Sequence, residues 1–301
     1  MKKAKSVILL FLCAIIWGTS FVAQVNSRGL TPFAYTGFKY LLGFMSLIPV
    51  VLIFEKGKMS REQRTQTIKA GIVSGVFLTI AANFQQFGIY YETPAGTAGF
   101  LTGLYTVLVP VFALIIFKKK TSVTTWIGVF LAVIGLYMLC IKKETGFTFT
   151  WGNVLVTIGT VFWALHIISI DHFSKSVENP LKYSFVQFAT CAVLTMTCAL
   201  LFEKINMSDV ISTKTEILYG GILSVGVAFT LQTIGQRGID PALSAIIMST
   251  ESVFSVIGGA VLLHEKLDFP YGYLGCIIMF MAIILSQVDK NFFKKFRFSK
   301  K

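Results

Sequence analysis

The chain has 301 residues, of which 54% are hydrophobic and 14% are charged, and its formal net charge is +13. Soluble domains carry about 25% charged residues, so this composition excludes an ordinary soluble protein and indicates a membrane protein. A strongly basic chain can also bind nucleic acid, but here the Lys and Arg residues lie in short segments between apolar runs rather than in one basic patch. We therefore expect membrane lipids as partners and no nucleic acid.

Apolar runs that are long enough to cross a bilayer follow one another along the chain. A spanning helix needs roughly 20 predominantly apolar residues. Ten such runs, separated by short polar segments, predict ten helices at 6–26, 32–54, 69–90, 94–117, 122–141, 151–171, 180–202, 214–236, 241–263 and 269–288. The first follows a lysine-rich start as a signal peptide would, but no small-residue cleavage site precedes a soluble domain, so we expect it to be retained.

The two halves of the chain repeat each other. Residues recur at spacings of 146 or 147, which pair Trp17 with Trp163, Gln85 with Gln232, Gly88 with Gly235, Pro94 with Pro241, and Gly128 with Gly275. The tripeptide at 54–56 also recurs at 202–204, with a spacing of 148. Each copy contains five predicted helices, and an odd number of crossings inverts the second copy relative to the first. Inverted repeats are typical of transporters.

The predicted fold is therefore an all-α integral membrane protein with ten transmembrane helices in two inverted five-helix repeats. The first repeat spans 1–145, the second spans 146–288, and a basic tail occupies 289–301. With the N-terminus in the cytoplasm, 20 of the 27 Lys and Arg residues fall on the cytoplasmic side and 6 on the other. Because positive charges favour the cytoplasmic side, we expect a multi-pass protein of the cell membrane with both termini in the cytoplasm.

Three segments carry a family resemblance: 17–23, with the sequence WGTSFVA, 93–117 in the first half, and 230–255 in the second. They resemble the EamA family of the drug/metabolite transporter superfamily. The resemblance implies two five-helix bundles around a central cavity that faces one side of the membrane at a time. It also implies transport of small organic solutes, often outward, including amino acids. The sequence departs from the family pattern at Ser252, where proline is common, and at Lys118, where an acidic residue is common.

Two charged residues lie well inside predicted helices, away from the helix ends. Glu251 lies near the middle of the ninth helix, and its counterpart in the first repeat is the apolar Leu104. A charge there costs roughly 2.5 to 3.5 kcal/mol, so Glu251 is either a protonatable coupling site, an anchor for a cationic substrate group, or a protonated structural hydrogen-bonding group. Lys39 lies about seven residues into the second helix, roughly 10 Å from the interface. It either extends outward to the interface or meets a substrate carboxylate, and pairing with Glu251 is a further possibility whose geometry the sequence does not establish.

Neutral polar and aromatic side chains complete the candidate substrate site. The amides suit recognition of uncharged polar groups, although amides also join helices to one another. The two tryptophans are candidate cavity walls, and the histidine is a candidate proton relay or an interhelical hydrogen-bond partner. These residues are Trp17, Asn83, Gln85, Gln86, Trp163, His166, Gln232 and Gln236.

The predicted function is secondary transport of small organic metabolites such as amino acids, by alternating access, with export favoured by the family resemblance and protons as the candidate coupling ion. The alternatives are a non-transporting scaffold or sensor and a membrane enzyme acting on lipid-linked substrates. No nucleotide-binding loop, zinc-binding histidine pair or nucleophile elbow occurs, so we expect no enzyme. The five cysteines lack metal-ligand spacing, and we expect no metal, no cofactor, and a monomer or weak homo-oligomer.

Overall fold

The computed structural model describes residues 3–140, 150–174, 176–265 and 270–287. Within these ranges the chain is helical, with short connections and no strand. Residues 141–149, which hold most of the predicted join between the repeats, lie outside the described residues, as do Lys175, Lys266 and the predicted basic tail at 289–301.

The described part of the first half contains six α-helices. Two of them, α4 and α5, make up one predicted span. Their bounds are α1 Lys3–Asn26, α2 Pro32–Phe54, α3 Arg61–Tyr90, α4 Ala95–Gly103, α5 Tyr105–Phe117 and α6 Val123–Cys140.

The second half contains eight α-helices and one π-helical stretch, Tyr219–Phe229, which we call the π-segment. In the π-segment each turn is wider than in an α-helix. The α-helices are α7 Trp151–Phe173, α8 Pro180–Phe202, α9 Met207–Ser212, α10 Lys214–Leu218, α11 Thr230–Gly235, α12 Pro241–Met248, α13 Glu251–Leu262 and α14 Tyr271–Gln287.

Eight helical stretches of the described chain are long and apolar enough to cross a membrane. Two shorter apolar stretches, Val123–Met138 and Tyr273–Ala282, stand where the fifth and tenth crossings are predicted. The protein is thus a multi-pass, all-helical membrane protein across the described residues. The eight stretches are Lys3–Gly29, Pro32–Phe54, Arg61–Tyr90, Ala95–Phe117, Trp151–Phe173, Pro180–Phe202, Lys214–Gly238 and Pro241–Leu262.

The start of α3 lies eight residues before the predicted start at 69, and a capping box explains the difference. The Ser60 hydroxyl accepts a hydrogen bond from the Gln63 backbone N–H (3.1 Å), and the Gln63 side chain accepts one from the Ser60 N–H (3.0 Å). This reciprocal pair satisfies two backbone donors at the helix start. Hydrophobicity alone locates the apolar part of α3 and misses its exposed polar turns.

Two predicted spans are broken near matching positions of the repeats. The fourth span is interrupted at Leu104, and the ninth at 249–250. In the ninth span the Ser249 and Thr250 hydroxyls donate to the carbonyls of Ile246 and Ile247, so they compete with the helical backbone bonds. Pro110 lies inside α5, six residues beyond the first break. The interruption at Leu104 is therefore closer to the middle of the fourth span than Pro110 is.

Helices of the two halves pack directly on one another. α3 lies against α7 and α8, α2 against α8, α1 against α13, and α6 against α14. Small residues permit the close contacts, as at Gly71 and Gly75, where a side chain would overlap Val186 and Thr190 of α8. The space enclosed by α1, α2, α3, α7 and the π-segment holds the candidate site.

Candidate functional site: a central cavity with two buried charges

A central cavity lies between the two halves. Its lining comes from α1, α2, α3, α4, α5, α7, the π-segment, α11 and α13. It contains about 520 Å³ of space unoccupied by atoms, of which about 40 Å³ is wide enough for a water-sized sphere. Six of the ten predicted site residues line it, namely Trp17, Lys39, Gln85, Trp163, Gln232 and Glu251.

Lys39 is buried, with 5% of its surface exposed. Its Nζ atom lies 5.3 Å from the ring centroids of both Tyr35 and Tyr40, which provides cation–π attraction. A Cβ at Gly220 would come within 2.8 Å of the Lys39 Cδ, so the glycine makes room for the stem. The ammonium forms no ion pair with any described residue. The structure thus places Lys39 in the cavity rather than extended to the interface.

Glu251 is 4% exposed and is the first residue of α13, directly after the break in the ninth span. Its Oε1 atom is buried and has no hydrogen-bond partner among the described residues. The Tyr105 hydroxyl faces the same carboxyl and likewise lacks a hydrogen bond of standard geometry. Lys39 and Glu251 line one cavity but do not form the ion pair that the sequence allowed.

Aromatic rings form one wall of the cavity around Phe229, a residue that the sequence analysis missed. The Phe229 ring lies 4.6 Å from the Trp17 ring and 5.8 Å from the Trp163 ring, to which it is nearly parallel. The Trp17 indole N–H donates to the Ser224 carbonyl in the π-segment (3.2 Å). Phe229 corresponds to Ala82 in the first repeat, so a search for repeated residues cannot find it.

Gln85 is held by its neighbours. Its Oε1 atom accepts from the Trp163 indole N–H (2.9 Å) and from the Thr102 hydroxyl (3.2 Å). Its Nε2 atom donates to Oε1 of Gln24 (2.9 Å). The Gln85 amide therefore fixes the orientation of Trp163 and links four helices. Gln24 is 3% exposed and was also missed, because it is a lone amide without a counterpart in the repeat pattern.

Gln232, the repeat counterpart of Gln85, is not held by hydrogen bonds in this way. It is 1% exposed and lines the cavity, and its Oε1 atom has no hydrogen-bond partner within the described chain. A buried amide oxygen without a partner costs free energy, which a bound polar group can recover. The two halves thus present one engaged amide and one free amide oxygen.

Four predicted site residues lie away from the central cavity and bond to neighbouring helices. Asn83 donates to the Thr195 hydroxyl (2.9 Å), and Gln86 donates to the Ser27 hydroxyl (3.2 Å). The His166 ring pairs with the Gln187 side chain (3.0 Å), and Gln236 donates to the Ile167 carbonyl (3.2 Å). In this structure these contacts join helices.

Charged residues join helix ends at both ends of the bundle. At one end the Lys119 ammonium lies 3.0 Å from Asp171 and 3.8 Å from Asp240, which joins the end of α5 to the second half. At the other end the Glu265 carboxylate accepts from the Ala95 backbone N–H (3.2 Å), and Arg28 donates to carbonyls at the end of α3 and the start of α4. No group of three metal-ligating side chains occurs among the described residues.

Comparisons with known proteins identify the family and the fold of the chain. The sequence model of the EamA-like transporter family matches residues 4–141 and 150–287. An uncharacterized transporter of Archaeoglobus fulgidus is 28% identical over 281 residues, which cover 92% of this chain and 83% of that protein. A crystal structure that is 19% identical superposes with a TM-score of 0.74, over 95% of this chain and 97% of the other, and shows the same fold.

Two relatives carry functional names. The aromatic amino acid exporter YddG of Ancylobacter novellus is 23% identical over 261 residues, covering 85% of this chain and 88% of that protein. The probable glucose uptake protein GlcU of Bacillus cereus is 24% identical over 270 residues, covering 86% and 89%. The names therefore include both an exporter and an uptake protein.

Proposed function

Because this chain belongs to the EamA-like transporter family, we propose that it is a secondary transporter that carries zwitterionic solutes such as amino acids out of the cell by alternating access. Membership in this family makes the chain a transporter and not an enzyme. Small molecules are its substrates and lipid is its surroundings.

The proposed architecture has ten crossings in two inverted repeats, 1–145 and 146–288, with α6 and α14 as the fifth and tenth. The close packing of α6 on α14 supports their equivalence. Breaks at Leu104 and at 249–250, near equivalent positions, support the inverted repeat, since discontinuous helices commonly surround a transporter's substrate site. Both termini then face the cytoplasm of a cell-membrane protein, and one chain encloses the whole cavity, so a monomer suffices.

The observation that carries the substrate class is that Lys39 and Glu251 face one cavity without pairing. In its ionised form each of these buried groups costs roughly 2.5 to 3.5 kcal/mol, and neither has an opposite charge of the protein to offset it. A zwitterion supplies both missing partners, with its carboxylate at Lys39 and its ammonium at Glu251. A sugar supplies neither, so the cavity favours an amino acid over glucose.

The remaining lining favours an apolar or aromatic substrate side chain. Trp17, Trp163 and Phe229 offer ring faces, and Gln232 offers an unengaged amide oxygen. The name of the YddG relative supports both this preference and the outward direction. Glu251 is the proposed proton-coupling group, since a carboxyl that exchanges a proton for the substrate ammonium links the two fluxes.

The narrow cavity explains why movement is required. About 40 Å³ of water-sized space does not hold an amino acid, so the helices must separate before the substrate binds. Opening at one end requires Lys119 to leave Asp171 and Asp240, and opening at the other requires Glu265 to leave α4. We therefore assign this conformation to a closed state of the proposed transport cycle.

Flux in proteoliposomes tests the proposal. Purified protein is reconstituted, and uptake of a panel of labelled amino acids, glucose and other metabolites is measured with and without a pH gradient. We expect saturable flux of an amino acid with an apolar side chain, faster when protons move in the opposite direction. Saturable glucose flux without amino acid flux would contradict the substrate class. Absence of flux for every solute in folded protein would favour the scaffold or sensor.

A further inference from the structure

A second cavity, which we call the lateral pocket, lies outside the central cavity. It is formed by α2, α3, α7 and α8, on a different face of α3 from Gln85. Its volume of about 410 Å³ is tenfold larger than the water-sized space of the central cavity. Five aromatic side chains line it, namely Phe33, Phe84, Phe87, Tyr91 and Trp151, together with Asn83 and Cys198.

The lateral pocket opens on the outer surface of the helix bundle. Trp151 is 63% exposed and Tyr91 is 49% exposed, and both lie at helix ends, where the bilayer meets water. No charged side chain lines the pocket. The lining therefore favours an uncharged ligand that partitions into the membrane.

The second repeat lacks this chemistry at the equivalent positions. At positions 147 or 148 residues later in the chain, the second half has aliphatic side chains where the first half has aromatic rings. It likewise has Thr230 where the first half has Asn83. The rings that α2 and α3 contribute are thus a feature of the first half, whereas Trp151 comes from the second half. The substitutions place Leu181, Leu231 and Ile234 where the first half has Phe33, Phe84 and Phe87.

Asn83 gives the pocket one polar group. Its side chain is 7% exposed, and its Nδ2 atom donates to the Thr79 carbonyl (2.8 Å) and the Thr195 hydroxyl (2.9 Å). Because both donor contacts are made, the amide orientation is fixed. Its Oδ1 atom is buried without a partner among the described residues. At the equivalent position the Thr230 hydroxyl donates to the Gly226 carbonyl, so the second repeat has no unpartnered amide oxygen there.

We propose that the lateral pocket binds a small, neutral aromatic molecule that carries one N–H or O–H donor and enters from the lipid. Its ring packs edge-on or offset against the aromatic lining, and its donor bonds to Oδ1 of Asn83. An aliphatic acyl chain fills such a pocket without satisfying the amide oxygen. The site is independent of the proposed transport function, because it needs neither Lys39 nor Glu251.

Cys198 provides a native reporter, since it is a half-buried free thiol in the pocket. Cys140 and Cys276 are replaced by serine, and alkylation of Cys198 by N-ethylmaleimide is followed by mass spectrometry in lipid nanodiscs. The probes are indole, which carries an N–H donor, and 1-methylindole, which does not. We expect indole to slow alkylation several-fold in a saturable manner, at concentrations about tenfold lower than 1-methylindole requires.

Two variants control for partitioning of the probes into lipid. Val193→Cys in a Cys198→Ala background places a thiol on the lipid-exposed face of the same helix, and we expect indole not to protect it. Asn83→Val removes the side-chain acceptor and should make the two probes equivalent at Cys198. Equal protection at both cysteines, or equal potency of the two probes in protein that retains Asn83, would overturn the proposal.

Discussion

Glu55 and Glu203 each cap the helix that the other one follows. The Glu55 carboxylate, directly after α2, accepts hydrogen bonds from the backbone N–H groups of Leu181 and Lys182 at the start of α8 (3.0 Å each). The Glu203 carboxylate, directly after α8, accepts from two backbone N–H groups at the start of α2 (3.0 and 2.8 Å). α2 and α8 therefore run antiparallel, tied at both ends by one repeated motif.

Removing either cap should destabilise the protein. Glu55→Ala and Glu203→Ala each leave two helix-start donors unsatisfied and remove a negative charge from a helix N-terminus, so we expect each to cost about 1 to 2 kcal/mol. Thermal unfolding in detergent measures the loss. Glu62→Ala is the matched control, because Glu62 is exposed on the first turn of α3. Equal melting temperatures for all three variants would show that the caps are dispensable.

Gln85 and Gln232 occupy equivalent positions but should respond differently to substitution. Gln85→Leu leaves the Trp163 N–H, the Thr102 hydroxyl and Gln24 without their partner, at about 1 to 3 kcal/mol for each buried group. We expect a clear loss of thermal stability. Gln232→Leu breaks no hydrogen bond within the described chain and should weaken substrate binding with stability retained. The opposite ranking in unfolding experiments would contradict the assignment of their roles.

Lys119 should hold one end of the cavity closed. Its contacts with Asp171 and Asp240 are partly exposed and stabilise the closed state by up to about 1 kcal/mol. Lys119→Met should therefore raise the population of the open state by up to about fivefold. In a cysteine-free background, Ser20→Cys in the cavity wall reports opening through its rate of modification by an impermeant thiol reagent. Lys120→Met, at an exposed neighbour, is the control. An unchanged rate with Lys119→Met would remove the contact from gating.

Glu251 should couple transport to protons. Glu251→Gln keeps the size of the side chain but cannot lose a proton, so we expect a slower rate that no longer depends on pH. Initial rates in proteoliposomes between pH 5.5 and 8.5 measure this. A rate and pH profile equal to those of the unsubstituted protein would show that Glu251 has a structural role only.

The outline of the fold was predictable from the sequence because it depends on length and hydrophobicity. The bounds of α2 and α8 agree with the predicted 32–54 and 180–202, since both helices begin at proline and end at the repeated motif. The break at 249–250 was not predictable, because it arises where hydroxyls bond to their own helix. Nor was the π-segment, because the apolar sequence of Tyr219–Phe229 does not distinguish a π-helix from an α-helix.

The candidate site was predictable in part. Lys39 and Glu251 stood out because charges are rare in apolar runs, and both line the cavity. The repeat selected Gln85 and Gln232 together, yet their difference depends on neighbours that only the fold brings near, such as Gln24 for Gln85. Phe229 was missed because an aromatic residue in an apolar run carries no signal of its own.

The most direct test of the zwitterion site pairs changes in the protein with changes in the substrate. Competition against the transported amino acid is measured with that amino acid, its amide and its decarboxylated amine, for the unsubstituted protein and for Lys39→Met. A charge-assisted hydrogen bond contributes about 1.5 to 3 kcal/mol. We predict that Lys39→Met weakens binding of the amino acid at least tenfold but leaves binding of the amine unchanged, because the amine lacks the carboxylate. Equal weakening of all three ligands would contradict recognition of the carboxylate by Lys39, and with it the central claim.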